Sequence, residues 1–132
     1  MKILVVEDDF VSRKLLQKLL GHYGECDIAV NGKEAVEAFK LSLGSDSPYD
    51  LICMDIMMPG MDGQQALLEI RELETEKGIS ETEGVKVIMT TALDDPKSVV
   101  ESLYKGRAAS YVVKPINKVK LLDEVRKLGL LD

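Results

Sequence analysis

Two apolar rhythms alternate along this chain. Runs that are apolar nearly throughout stand at residues 2–7 (KILVVE), 26–30 (CDIAV), 51–54 (LICM), 85–90 (VKVIMT) and 111–113 (YVV). Short runs of that kind, rich in β-branched residues, suit strands buried on both faces. Between them apolar residues recur at helical spacing: Val11, Leu15, Leu16, Leu19 and Leu20; then Ala35, Val36 and Phe39; then Ala66, Leu67, Ile70 and Leu73. Two more sets follow, Val99, Val100 and Leu103, and Leu121, Leu122, Val125 and Leu128. Gly21, Asn31-Gly32 and Pro59-Gly60 punctuate the pattern, and Pro96 suits the first turn of the fourth helix. Residues 74–84 (ETEKGISETEG) read as an acidic loop longer than most connections. Five strand-helix units with no internal repeat predict one α/β domain over residues 1–132, a parallel sheet with helices on both faces.

Composition narrows the function. The 132 residues are 45% hydrophobic and 30% charged, which suits a globular domain. A net charge of −6 argues against nonspecific binding to nucleic acid or anionic membranes. No apolar run approaches the roughly 20 residues of a membrane span, and MKILVVEDD is too short for a secretory leader. The expected location is cytoplasmic. Cys26 and Cys53 fall in different strand-like runs with no further ligands nearby, so both are expected to be small buried hydrophobes. Charge is uneven along the chain. Residues 105–127 carry Lys105, Arg107, Lys114, Lys118, Lys120, Arg126 and Lys127, whereas residues 69–83 carry Glu69, Glu72, Glu74, Glu76, Glu81 and Glu83.

The polar residues that end strands share one edge. Ligands of parallel α/β sheets bind outside the carboxyl ends of the strands. Glu7, Asp8 and Asp9 follow strand one, Asp55 follows strand three, Thr90 and Thr91 end strand four, and Lys114 ends strand five. Carboxylates gathered there repel one another and resist desolvation, which a divalent cation relieves. Oxygen ligands without histidine or cysteine favour Mg²⁺. A lysine and a hydroxyl beside such a cation suit phosphoryl oxygens, and an aspartate can itself accept a phosphoryl group. Asp9 is expected to serve mainly as a helix cap, and Thr90 as a strand residue.

Four segments carry a family resemblance: VVEDD (5–9), MDIMMPGMDG (54–63), TTA (90–92) and YVVKP (111–115). With this order and spacing the chain resembles a stand-alone, CheY-like receiver domain of two-component response regulators, over essentially its whole length. The resemblance implies a flavodoxin-like (βα)5 doubly wound sheet with strand order 2-1-3-4-5. It implies Asp55 as phosphoacceptor, and Mg²⁺ held by Asp8, by Glu7 largely through water, by Asp55 and by the backbone carbonyl of Met57. It further implies Thr91 as switch hydroxyl, Lys114 as phosphate-binding lysine, a cis bond before Pro115, and Tyr111 as an aromatic whose rotamer follows activation. The stretch between Gly106 and Tyr111 is one residue longer than the commonest pattern. Met57 and Leu93, two positions beyond Asp55 and Thr91, are apolar and are expected to shield an aspartyl phosphate from water.

The implied partners are a histidine kinase or histidine phosphotransferase upstream and a protein target downstream. The target is expected to be reached through the face of helix four, strand five and helix five. No nucleic-acid or membrane contact is expected, and no output domain within residues 1–132. Activity would be confined to the domain's own phosphorylation and dephosphorylation. Three alternatives are weighed against the same acids. A degenerate receiver would serve only as a docking scaffold, but Glu7, Asp8, Asp55, Thr91 and Lys114 are all present. A phosphatase of the haloacid dehalogenase type would need a second acid two residues after the nucleophile, where this chain has Met57. An FMN carrier would want a Ser/Thr/Gly-rich loop where this chain has Glu7, Asp8 and Asp9.

Overall fold

The computed structural model describes residues 1–92 and 96–131, apart from the side chains of Ser98 and Tyr104. Strands and helices alternate as the apolar rhythm predicts: β1 (Lys2–Val6), α1 (Phe10–Leu20), β2 (Glu25–Ala29), α2 (Gly32–Leu43), β3 (Leu51–Asp55), α3 (Gly63–Glu76), β4 (Lys86–Thr91), α4 (Pro96–Tyr104), β5 (Ser110–Val113) and α5 (Lys118–Lys127). The sheet has the order β2-β1-β3-β4-β5, and every neighbouring pair is parallel.

Side-chain alternation divides the core in two. Leu4, Val6, Ile52, Met54, Val87 and Met89 pack against Ala35 and Phe39 of α2, Ala66, Leu67 and Ile70 of α3, and Val99 of α4. Ile3, Val5, Leu51, Cys53, Ile88 and Val112 pack against Leu16 and Leu20 of α1 and Leu121 and Val125 of α5. The three inner strands, β1, β3 and β4, are thus sandwiched, which is why their sequences are apolar nearly throughout, whereas the edge strands β2 and β5 are only partly buried. Asp9, Asn31, Asp62 and Asn117 cap α1, α2, α3 and α5, each accepting a hydrogen bond from the backbone N–H three residues on. A cap of this kind is worth about 1 kcal/mol. The caps at Asp9 and Asp62 also fix the chain direction where it leaves β1 and enters α3.

The structure departs from the sequence expectation at residues 74–76. These belong to the last turn of α3 rather than to an acidic loop. Glu74 is buried because Arg71, one turn earlier and also buried, holds it: Arg71 Nη1 donates to Glu74 Oε1 at 2.7 Å. The other carboxylate oxygen accepts from the Val85 backbone at 2.6 Å. The remaining guanidinium nitrogens reach the α4–β5 connection, Nε to the Gly106 carbonyl at 2.9 Å and Nη2 to the Arg107 carbonyl at 3.0 Å. A helical ion pair thereby fastens two loops. Arg107 sits at φ 54, in the left-handed region disfavoured for residues with a Cβ, and its carbonyl is one of those Arg71 holds. This turn lies in the stretch identified as one residue longer.

Lys114 is likewise not part of a basic surface; it faces Glu7 and Asp55. Arg126 and Lys127 lie near Asp123 and Glu124 on α5. The charge asymmetry of the sequence is therefore weaker in three dimensions. Both cysteines are free, Cys53 buried and Cys26 only half-buried. They lie on β3 and β2, which flank β1, with Cys26 opposite Ile3 and Cys53 opposite Val5. Two strand spacings of about 4.8 Å exceed the roughly 7 Å reach of a disulfide. Burial pushes the Cys53 thiol pKa up to about 12. Among the described residues no helix is long and apolar enough to cross a membrane.

Arg71→Met should lower unfolding free energy by about 3–5 kcal/mol in urea titrations, because it strands the Glu74 carboxylate in the interior. Arg126→Ala, which breaks only the exposed pair with Asp123, should cost under about 1 kcal/mol. Equal losses in the two variants would show that the buried pair is no stronger than a surface one.

Candidate functional site

The carboxyl ends of β1, β3 and β5 converge on four charged side chains. Glu7 is the first residue beyond β1, and its N–H still donates to the Ala29 carbonyl of β2 at 3.1 Å. That bond extends the strand path by one residue. The Glu7 side chain is fully buried, and its Oε1 accepts from the Asp9 backbone at 3.1 Å. Asp8 is exposed at the mouth of the site.

Asp55 ends β3 opposite Thr90 and is 4% exposed. Its Oδ1 accepts from the Met57 N–H at 3.2 Å. The loop after it is pinned at both sides: Ile56 N–H donates to Thr90 O at 3.0 Å, and Gly63 N–H to Ile56 O at 2.8 Å. A Cβ at Gly63 would overlap the Asp55 carbonyl, so only glycine lets α3 begin this close to the acid.

Lys114 joins the acids from β5. Its backbone N–H donates to the Thr91 carbonyl at 2.8 Å, and the peptide bond to Pro115 is cis. Its Nζ lies 3.0 Å from Glu7 Oε2 and 3.1 Å from Asp55 Oδ2. The first contact pairs the ammonium with the buried Glu7 carboxylate. Burial pushes the Glu7 carboxyl up to about 7, the Asp55 charge adds to the rise, and Lys114 opposes it. Burial would lower the Lys114 ammonium pKa, but its contact with Glu7 and the Asp55 charge outweigh burial and raise it.

One oxygen from each of Glu7, Asp8 and Asp55 lies within 4.8 Å of the others. Three carboxylates are gathered here with one ammonium, which pairs with only two of them, Glu7 and Asp55. An all-oxygen donor set with surplus negative charge fits a hard divalent cation.

The other expected residues take less direct positions. Thr91 is buried, and its hydroxyl donates to the Ala92 carbonyl at 3.2 Å. Tyr111 is 44% exposed. A cavity of about 250 Å³ lies beside it, bordered by Thr91, Ala92, Val99 and Val113. The Met57 side chain is 63% exposed. Leu93 lies outside the described residues. Asp9 is the α1 cap that its position suggested, and Thr90 is a buried strand residue whose hydroxyl lacks a hydrogen-bond partner. Sequence reasoning passed over Arg13, whose guanidinium contacts the backbone of Glu7 and Asp8. The available signal was a cation one turn into a helix, at the end where positive charge is disfavoured.

A family model for the response regulator receiver domain matches residues 3–126. Hybrid signal transduction histidine kinase I of Dictyostelium discoideum is 38% identical over 125 residues, covering 94% of this chain but 7% of that protein. The chain thus spans a small part of such relatives. Chemotaxis protein CheY of Treponema pallidum is 37% identical over 127 residues, covering 94% of this chain and 79% of that protein. Among solved structures, the co-crystal of the Saccharomyces cerevisiae histidine phosphotransfer protein Ypd1 with the receiver domain of Ssk1 matches at TM-score 0.84 and 28% identity, covering 98% and 88% of the two chains. The receiver domain of the Arabidopsis thaliana histidine kinase CKI1, complexed with Mg²⁺ and BeF₃⁻, matches at TM-score 0.81 and 27% identity, covering 97% and 89%.

The Thr90 hydroxyl yields one stability expectation. Thr90→Val removes an unpartnered buried hydroxyl at nearly constant volume, so it should be neutral or stabilising by about 1 kcal/mol in urea unfolding. A loss above about 1 kcal/mol would mean that the hydroxyl makes a hydrogen bond in solution.

Proposed function

The chain belongs to the response regulator receiver family, and on that premise we propose that Asp55 accepts a phosphoryl group from a histidine on a kinase or phosphotransfer protein. The observation that carries this reading is Lys114 Nζ, 3.0 Å from Glu7 and 3.1 Å from Asp55, with the Asp8 carboxylate in the same cluster. Glu7, Asp8 and Asp55 would hold Mg²⁺, with the Met57 backbone carbonyl as a further ligand. The cation would neutralise charge on the phosphoryl oxygens. An Asp55 carboxylate oxygen attacks phosphorus, the bond from phosphorus to the histidine nitrogen breaks, and the nitrogen keeps the electron pair. Lys114 stays within reach of Asp55 and takes up a phosphoryl oxygen, and Thr91 supplies a hydroxyl hydrogen bond. Such positioning and charge stabilisation account for most catalysis in phosphoryl transfer.

The mouth of the site suits a protein donor. Phe10, Val11, Leu15 and Met57 are all exposed on α1 and on the loop after Asp55. The co-crystal of Ypd1 with a receiver domain supports a histidine phosphotransfer protein as one form of that donor.

The positions of Thr91 and Tyr111 support a readout. When Thr91 turns toward the phosphoryl group, it gives up its local bond to Ala92 and leaves room beside the cavity. Tyr111 then has space to turn inward, changing the face of α4, β5 and α5, where Val100, Leu103 and Val119 are exposed. This is a shift between two populations of one domain, read by a downstream protein. The domain acts as a signalling module, and its chemistry is confined to its own aspartate.

Incubation with acetyl phosphate and Mg²⁺ should add a single labile phosphoryl group, seen by intact mass. Asp55→Asn should show none, and Lys114→Ala should reach at most about one-tenth of the wild-type level. An adduct of normal yield in Asp55→Asn would overturn the assignment.

A further inference from the structure

Arg13 stands where helix electrostatics give it no reason to be. It is the fourth residue of α1, close to the positive end of the helix dipole, where a cation is disfavoured. Helical side chains lean toward the N-terminus, so Arg13 is aimed back over the loop before α1. Its Nη1 donates to the Glu7 carbonyl at 3.0 Å and to the Asp8 carbonyl at 3.3 Å. The exposed ring of Phe10 lies 5.5 Å from the guanidinium carbon and flanks it. One nitrogen therefore grips both carbonyls of the two residues whose carboxylates enter the cluster with Asp55.

We propose that Arg13 is a positioning residue for the divalent-cation site: it clamps the Glu7 and Asp8 backbone so that their carboxylates converge. The inference rests on the function proposed above and extends it to a residue that touches neither cation nor phosphoryl group. The neighbouring constraints leave this role open. The Glu7 N–H is fixed by Ala29 and its Oε1 by the Asp9 N–H. Asp9 caps α1 through Ser12. None of these holds the Glu7 or Asp8 carbonyl. Without the clamp, the peptide between Glu7 and Asp8 can rotate and carry the exposed Asp8 carboxylate away from the buried one. Hydrogen bonds of this outer kind are commonly worth about 10- to 100-fold in metal affinity.

Charge and position predict opposite signs, which makes the proposal decisive to test. Arg13 is a cation near a cation site, so by charge alone its removal should tighten Mg²⁺ binding. If it acts by position, its removal should weaken binding. The experiment is calorimetric titration of the unphosphorylated full chain with Mg²⁺, for wild type, Arg13→Ala and Arg13→Lys, with urea unfolding of each as a check on folding. We expect Arg13→Ala to bind about 10-fold more weakly. Arg13→Lys, which keeps the charge and can reach one carbonyl, should fall between Arg13→Ala and wild type. Affinity in Arg13→Ala equal to or tighter than wild type would overturn the positioning role while leaving the proposed function intact. Should Arg13→Ala fail to fold, wild-type affinity in Arg13→Lys would overturn the role and weakened affinity would support it. Absence of Mg²⁺ binding by the wild type would overturn the proposed function and this inference together.

Discussion

Mutual repulsion among Glu7, Asp8 and Asp55 is the constraint around which the rest of the site is arranged. Three carboxylate oxygens within 4.8 Å would separate if their backbones allowed it. The backbones do not allow it. Glu7 is tied to β2, Asp55 is the last residue of β3, and the loop between Asp55 and Gly63 is fastened to β4 and to itself. Lys114 offsets part of the repulsion, and its own backbone is tied to Thr91. The remaining negative charge fits a divalent cation.

The fold supplies this crowding through its direction. All five strands are parallel, so their carboxyl ends lie on one edge. With β1 between β2 and β3, the residues following β1 and β3 become neighbours although 48 positions separate Glu7 from Asp55. The same order brings β4 and β5 beside them, so that Thr91 and Lys114 need only end their strands to join the group. A sheet packed on both faces can hold a buried glutamate at 0% exposure because its neighbours are fixed by two separate cores. Such a site costs stability and keeps its geometry because the scaffold around it is rigid.

Much of this was legible in the chain. The apolar runs located all five strands to within about two residues, the usual uncertainty at element ends. The acids at 7, 8 and 55 and the lysine at 114 were identified by their places after strands. What escaped was polar chemistry that depends on tertiary neighbours. Glu74 lies in a run of charged residues that looks solvated, and nothing local shows that Arg71 draws it inside to hold Val85 as well. Arg13 reads as a surface cation until the lean of its side chain over the preceding loop is known. The left-handed turn at Arg107 was equally hidden, since no glycine or asparagine stands there to mark it.

If carboxylate repulsion is held in reserve for a divalent cation, the urea unfolding midpoint of the unphosphorylated chain will register it as Mg²⁺ is added at constant ionic strength, for wild type and Asp8→Asn. A ligand that binds only the folded state raises its stability with concentration. Wild type should begin less stable than Asp8→Asn in cation-free buffer, rise with Mg²⁺, and close or reverse the gap, while Asp8→Asn responds weakly. A wild-type midpoint that does not move with Mg²⁺ would show that no such reserve exists.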